Sequence, residues 1–232
     1  MGWDIEPAGG EATAATHRLL IQLTKPFLFV ATPSLLILPP HPQDQKTGKI
    51  PLLSYLLFFP FHIPTILYTY IHTVLGLTHG VKYGDDVLSG EGYWVGGRYA
   101  HKIKDGPSRW EVTVDLTSEF PEMCISTTGI YVNSPVWDGT PPTIENIERC
   151  AEAISRGWRG SKKKVGRGGD VMIHCAHGRG RSCLIACAGL VKSGRASDWR
   201  EGFEIVQRGR RVCKLNQGMR DALERWQKKY VK

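Results

Sequence analysis

The stretch Val171–Leu190, VMIHCAHGRGRSCLIACAGL, decides how the rest of the chain is read. A compact apolar run, Asp170–His174, stops at Cys175. A loop of Gly178, Arg179, Gly180 and Arg181 follows, and a second apolar run continues to Gly194. The first run reads as a buried strand and the second as a helix closed by Gly194. A cysteine is usually a small core residue. This one stands where a strand ends and a helix begins, among positive charges.

Such a loop aims several backbone N–H groups at one point, and its glycines let the backbone curl without side-chain clashes. The helix N-terminus adds partial positive charge, so the loop is an anion cradle. A cysteine in it is favoured as thiolate. Arg181 can grip two oxygens of a phosphate in a fork. A dianion held over a nucleophilic sulfur suits phosphoryl transfer through a cysteinyl-phosphate intermediate.

The rest of the chain sets the frame. It has 232 residues, 41% hydrophobic and 22% charged, which indicates a globular protein of one medium domain with an appendage. Residues 1–80 carry four basic and four acidic side chains, so the whole net charge of +8 lies in 81–232. That part favours anionic partners. Six cysteines, Cys124, Cys150, Cys175, Cys183, Cys187 and Cys213, show neither zinc-site nor dense disulfide spacing, which fits free thiols in a reducing compartment.

From Ile50 to Val81 there is no Asp, Glu, Lys or Arg. A spanning helix needs about 20 mostly apolar residues, so a membrane span over about 50–78 is expected, kinked at Pro60 and Pro64. Tyr55, Tyr68 and Tyr70 could anchor it at the interface. A second run, Pro26–Pro40, is shorter and reads as interfacial or as half of a hairpin. The alternative is a buried hydrophobic subdomain. The acidic first eleven residues argue against a cleaved signal peptide. The expected organisation is a membrane-associated region, 1–80, followed by a catalytic domain, 81–232.

Within 81–232, Gly92–Tyr99, Trp110–Leu116 and Thr128–Val136 read as strands, the last ended by Pro135. Thr140 and Pro141 read as the start of a helix that buries Ile144, Ile147, Ala151, Ile154 and Trp158. Arg159–Gly169 reads as a basic, glycine-rich surface loop. Two further amphipathic helices follow Ser197 and Met219. Strands alternating with helices give an α/β sheet with helices on its faces.

His174-Cys175-Ala176-His177-Gly178-Arg179-Gly180-Arg181-Ser182 resembles the H-C-x5-R-[ST] signature of the protein tyrosine phosphatase superfamily. The short domain, roughly Gly92 to Trp226, is similar to the dual-specificity class. The resemblance implies a dual-specificity-phosphatase-like central sheet flanked by helices. It implies Cys175 as nucleophile and the loop Ala176, His177, Gly178, Arg179, Gly180 and Arg181 as the phosphate cradle. Ser182 would assist departure of the sulfur, and His174 would buttress the cysteine. The class also needs a general acid on an upstream loop. Asp138, in SPVWDGTPPT, follows a strand and resembles that acid, at a spacing slightly long for the class. Asn216 or Gln217 could orient the hydrolytic water.

Other readings stand beside these. Cys175 could be a core cysteine, or His174, Cys175 and His177 could form a metal site, although no distant cluster completes a tetrahedron. Asp138 could be only the turn residue of an Asp-Gly pair, with Asp115 the next candidate acid. Cys183 and Cys187 read as helix packing or as a disulfide-exchange guard for Cys175. The expected activity is metal-free and cofactor-free phosphomonoester hydrolysis on the cytosolic side of a membrane. Phosphotyrosine protein is the first substrate class, since the fold resembles that class. His177 and Arg179 make a basic loop floor, which keeps open an anionic phospholipid, an RNA 5′-triphosphate, or a phosphate-binding scaffold without turnover. A nucleic-acid partner is not expected, because the SKKK segment supplies charge but no aromatic for stacking.

Overall fold

The computed structural model describes residue 43 and residues 47–57, 59–74, 83–103, 106–165 and 170–231. Five strands form one sheet: β1 (Gly84–Asp86), β2 (Tyr93–Gly96), β3 (Trp110–Thr117), β4 (Thr128–Val136) and β5 (Val171–His174). Their order is β1-β2-β5-β3-β4. β1 runs antiparallel to β2, and the β2–β5, β5–β3 and β3–β4 pairs are parallel. β5 is central and buried at all four positions, which is why it reads as a continuous apolar run.

The helices are α1 (Leu52–Leu57), α2 (Phe59–Val74), α3 (Ile144–Val165), α4 (Arg181–Lys192), α5 (Trp199–Gly209) and α6 (Gln217–Tyr230). Alternation along the strands sorts the core. Tyr93, Val95, Val112, Val114, Val171 and Ile173 face one side, where α3–α6 bring Ile154, Leu184, Val206 and Trp226. Trp94 and Met172 face the other side and pack with Trp110 at the start of β3, with Ala100 of a short 3-10 turn and with Ile103 just after it. The expected central sheet flanked by helices is observed, with α3–α6 sharing one face. α4 lies deepest, with eleven buried residues from Arg181 to Val191. It ends where Gly194 takes a φ of +71°.

β4 has the expected range, Thr128–Val136, and as the edge strand next to β3 it tolerates Pro135 inside its end. Two other local expectations are corrected. Thr143 rather than Thr140 starts α3: its Oγ1 accepts from the Asn146 amide at 3.3 Å. Two consecutive prolines disfavour helical backbone at Thr140 and Pro141, so the helix waits until they are passed. Thr140 instead donates to the Trp137 carbonyl at 2.7 Å. Residues 159–165 are not loop but the last turns of α3. Arg159 ties them down through Ser155 Oγ and the Lys192 carbonyl.

Within the uncharged run the described residues form two helices, α1 and α2. Among the described residues no helix is long and apolar enough to cross a membrane. The sixteen residues of α2 reach about 24 Å at 1.5 Å per residue, short of a hydrocarbon core of about 30 Å. Pro64 lies inside α2 and removes one hydrogen bond of the ladder. The burial is inverted for a soluble helix. His62, Thr69, His72 and Thr73 are buried, whereas Ile63, Leu67 and Tyr70 are exposed. α2 lays its polar stripe on the domain and turns its apolar stripe outward. The run Pro26–Pro40 lies outside the described residues, as does most of the 1–80 region.

Candidate active site

The loop Cys175–Gly180 joins the C-terminal end of β5 to the N-terminus of α4. Its carbonyls are claimed from outside. The Arg98 amide donates to Ala176 O at 3.1 Å, and the Lys214 amide to Arg179 O at 3.0 Å. Arg210 donates from Nη2 to His177 O at 3.1 Å and from Nε to Gly178 O at 2.8 Å. The Leu184 amide takes Gly180 O as the first turn of α4. With the carbonyls turned outward, no amide from Ala176 to Arg181 donates to a protein acceptor among the described residues. Gly178 has a φ of +67°, and a Cβ there would run into Gly96. Only glycine fits that bend.

Arg181 is fully buried, and its guanidinium is held as a fork on Glu119. Nη1 lies 3.0 Å from Oε2 and Nη2 lies 2.6 Å from Oε1. Nη1 also reaches the carbonyls of Val136 at 2.7 Å and Leu116 at 3.2 Å. Burial alone would lower the Arg181 pKa, and the Glu119 carboxylate more than offsets it, so the cation is secure. Nε has no hydrogen-bond partner. Nη2 touches Asp138 Oδ1 at 3.2 Å. The edge made of Nε and Nη2 is the one left for an anion.

Cys175 sits at the bottom of the loop, 3% exposed, with Sγ 3.4 Å from Ser182 Oγ. His174 precedes it in β5, with Nε2 3.8 Å from Asp115 Oδ1 and 3.9 Å from Cys124 Sγ. All six cysteines are unpaired and buried. Burial raises Cys124 to about 12 and Cys150 to about 11, and holds Cys183 well above the ordinary thiol range. A hydrogen bond to Cys183, with burial, raises Cys213 too. These four stay protonated thiols at neutral pH, as core packing groups do.

The structure brings Cys175, Arg181, Ser182, Asp138 and His177 to one place and leaves Asp115 out of it. Asp115 is fully buried beneath the sheet end. It accepts from the Thr117 amide and hydroxyl and from Tyr131 at 2.7 Å, so it cannot reach a leaving group. Asp138 is 78% exposed at the rim beside Arg181. Asn216 does not face the cradle as a water-orienting group. Its Oδ1 caps α6 by accepting from Met219, and its Nδ2 donates to Gly139 O at 2.8 Å, which ties the Asp138 loop to α6. Gln217 bonds Asp221 instead. Among the described residues no group of His, Cys, Asp and Glu could hold a metal.

One charge expectation is corrected. His177 does not make the floor more basic, because burial lowers its pKa to about 4 against the pull of Asp138. Its ring meets Tyr68 of α2 edge-on at 5.7 Å, and Tyr68 stacks on His72 at 4.0 Å. α2 therefore lies directly over the loop. Near its start, burial lowers the His62 pKa, opposed by a hydrogen bond to the Glu119 backbone.

Glu119, Arg210 and the α2 contact are absent from any reading of the signature. Glu119 lies 62 residues before Arg181, and Arg210 lies 32 residues beyond Gly178. Nothing local in SEFPE or RGRRV marks which charge will be buried.

No family model matches the chain, and no curated protein matches it. Solved structures do. A point variant of human DUSP28 aligns with a TM-score of 0.52 at 17% identity, over 63% of this chain and 95% of that one. Human tyrosine phosphatase-like serine/threonine/tyrosine-interacting protein aligns with a TM-score of 0.51 at 17% identity, over 64% and 98%. The chain has the fold of the dual-specificity phosphatases, built around the loop Cys175–Arg181.

Proposed function

We propose that the chain is a cysteine-dependent phosphomonoester hydrolase, of the protein tyrosine or dual-specificity type. The observation that carries this is the buried guanidinium of Arg181, whose Nε has no hydrogen-bond partner, at the end of the loop that Cys175 begins. In this reading a phosphate dianion takes that edge and displaces Asp138 from Nη2. The Cys175 thiolate attacks phosphorus, the ester P–O bond breaks, and Asp138 gives its proton to the leaving oxygen. Water then attacks the phosphocysteine with Asp138 as base. Ser182 Oγ donates to the departing sulfur from 3.4 Å. Glu119 positions Arg181 rather than touching substrate.

Phosphotyrosine protein is the proposed substrate. A neutral His177 leaves Arg181 and Arg179 as the loop's charges, which suits one phosphoryl group better than a triphosphate. A phosphoinositide is the second reading, favoured by the outward apolar face of α2. We place the protein at a membrane with its domain on the cytosolic side, where thiols stay reduced. Hydrolysis of para-nitrophenyl phosphate by the full chain, lost in Cys175→Ser, tests the class. Comparison of phosphotyrosine peptide with phosphoinositide then separates the two substrates. Phosphate release by Cys175→Ser near the wild-type rate would sink the reading.

A further inference from the structure

The outward face of α1 and α2 is the largest apolar feature on the described surface that the mechanism does not use. Leu52, Leu53 and Leu56 of α1 and Ile63, Leu67 and Tyr70 of α2 are each at least half exposed. Positions 63, 67 and 70 recur at i, i+4 and i+7, so they form one stripe. A soluble helix turns such a stripe inward, and exposed contiguous apolar patches mark interaction sites. Here the inward stripe is His62, Thr69, His72 and Thr73, and Tyr68 seats on His177 of the catalytic loop.

What surrounds the stripe points to one occupant. No charge interrupts residues 50–81, so nothing on this segment resists entry into lipid. Exposed Lys49 stands just before α1. At the far end Tyr70 meets Tyr99 at 6.2 Å, and exposed Lys102 lies 5.6 Å over the Tyr99 ring. An apolar stripe rimmed by tyrosines and lysines is the make-up of a helix that lies in a membrane interface. The net charge of +8 in the domain beneath it adds attraction to anionic headgroups.

We propose that α1 and α2 form a docking cover: their outward face binds an anionic lipid surface, and that binding draws α2 away from Cys175. A ligand shifts an equilibrium only if it prefers one state. Lipid prefers the displaced state, because Ile66, Tyr68 and Ile71, half-buried against the domain, add to the immersed area once α2 turns. The inward contact gives way readily, being polar and incomplete: Thr69 Oγ1 is buried without a hydrogen-bond partner. The proposal holds whether or not Cys175 turns over a phosphoester.

The test uses the full chain, vesicles of phosphatidylcholine alone or mixed with phosphatidylglycerol, and the rate at which iodoacetamide alkylates Cys175, followed by peptide mass. Wild type should float with the mixed vesicles and less with phosphatidylcholine alone. Cys175 alkylation should rise about tenfold on the mixed vesicles, the gain expected if the uncovered state is populated at about a tenth or less in water. Leu56→Glu and Leu67→Glu, both on the outward stripe, should keep lipid-free alkylation unchanged. Their flotation should drop about tenfold, since each removes a buried leucine from lipid, and they should lose the vesicle-induced rise. Wild type that does not float, or that floats without faster alkylation, overturns the proposal. So do glutamate variants that behave as wild type. If wild type is a dimer that the variants dissolve, or if the variants lower the lipid-free melting temperature, the stripe is covered by a second copy or by residues 1–42, and lipid is not its occupant. Loss of para-nitrophenyl phosphate turnover alone would count against the hydrolase reading and leave these readouts standing.

Discussion

The loop Cys175–Arg181 and the helix Phe59–Val74 touch through Tyr68 and His177, yet they obey opposite rules. The loop is rich in charge and glycine, yet no residue of it is fully exposed and Arg181 is fully buried. The helix carries no Asp, Glu, Lys or Arg and keeps Ile63 and Leu67 in the open. Composition alone would place them the other way round. A buried charge is tolerable when a counter-charge and hydrogen bonds hold it, as the Glu119 fork and two carbonyls hold the two terminal nitrogens of Arg181. An exposed aliphatic stripe is tolerable when water is not its final solvent. The difference separates a region that must be rigid before any ligand arrives from one that must be able to leave.

The sharpest break of that contrast removes the loop's sulfur. Cys175→Ser should lower turnover of any phosphoester by about 10³-fold or more, because an alcohol in the same place is a far weaker nucleophile. It should still bind phosphate, seen as a rise in melting temperature with added phosphate. If the variant neither turns over nor binds phosphate, the loop is not a preformed cradle.

Asp138→Asn comes next, at about 10²–10⁴-fold on an alkyl or plain phenyl phosphate, the usual size of general acid catalysis. An activated aryl phosphate, whose leaving oxygen needs no proton, should be slowed far less. An unchanged rate would return Asp138 to a turn residue.

Glu119→Gln should cost roughly 10²-fold in kcat/KM, with Arg181 left charged but no longer aimed. Removing one partner of a buried pair costs about 3–5 kcal/mol, so the melting temperature should fall as well. Glu119→Asp, which keeps the charge but shortens the reach, should recover only part of the rate while restoring most of the thermal stability. Equal recovery of both would make Glu119 a folding residue and nothing more.

The smallest effect concerns pH and the covering helix. His177 is held neutral, at about 4 against an ordinary 6.5. The groups acting on it are Asp138, His72, Arg181 and Arg179, after burial itself. A base whose pKa is depressed in the covered state stabilises that state above about 6.5 and loses the contribution as pH falls toward 4. His62 is shifted in the same direction, with Glu119 opposing. Between pH 7.5 and 5.5, protection of the α2 amides from hydrogen exchange, corrected for intrinsic rate, should fall by up to about tenfold. His177→Gln should flatten the response. Protection that is constant or rises on acidification would show that α2 does not bury His177.

The signature loop was legible because its chemistry is written in consecutive residues, and strand, turn and helix each follow from local rules. Strands β2, β3 and β5 were legible from their alternating or continuous apolar runs for the same reason. What was not legible depends on distant partners. Glu119 is one acidic residue among many until β3 ends beneath Arg181. Asn216 reads as a water-orienting group, whereas it caps α6 and bonds Gly139, a contact that needs the whole domain to be folded. Residues 159–165 read as loop because glycine and lysine crowd there, whereas Ser155 and the end of α4 hold them helical. The run 50–81 was read by length and lack of charge. His62, Thr69, His72 and Thr73 share one side of the described helix, a spacing that a length criterion does not ask for.

Arg210 has a further consequence. It reaches from Asp85 of the edge strand β1 to the carbonyls of His177 and Gly178, and so fixes the loop's shape through contacts no substrate makes. The reorganisation needed to receive an oxyanion is met once, when the chain folds. In a hydrolase of the proposed kind, a receptor so prepared would recognise orthophosphate as well as the ester it came from. Product inhibition would be the corollary, and release of phosphate a step that competes with the next encounter. Any gain in turnover beyond that point would have to come from loosening the link between Asp85 and Arg210, at the expense of the grip on the ester.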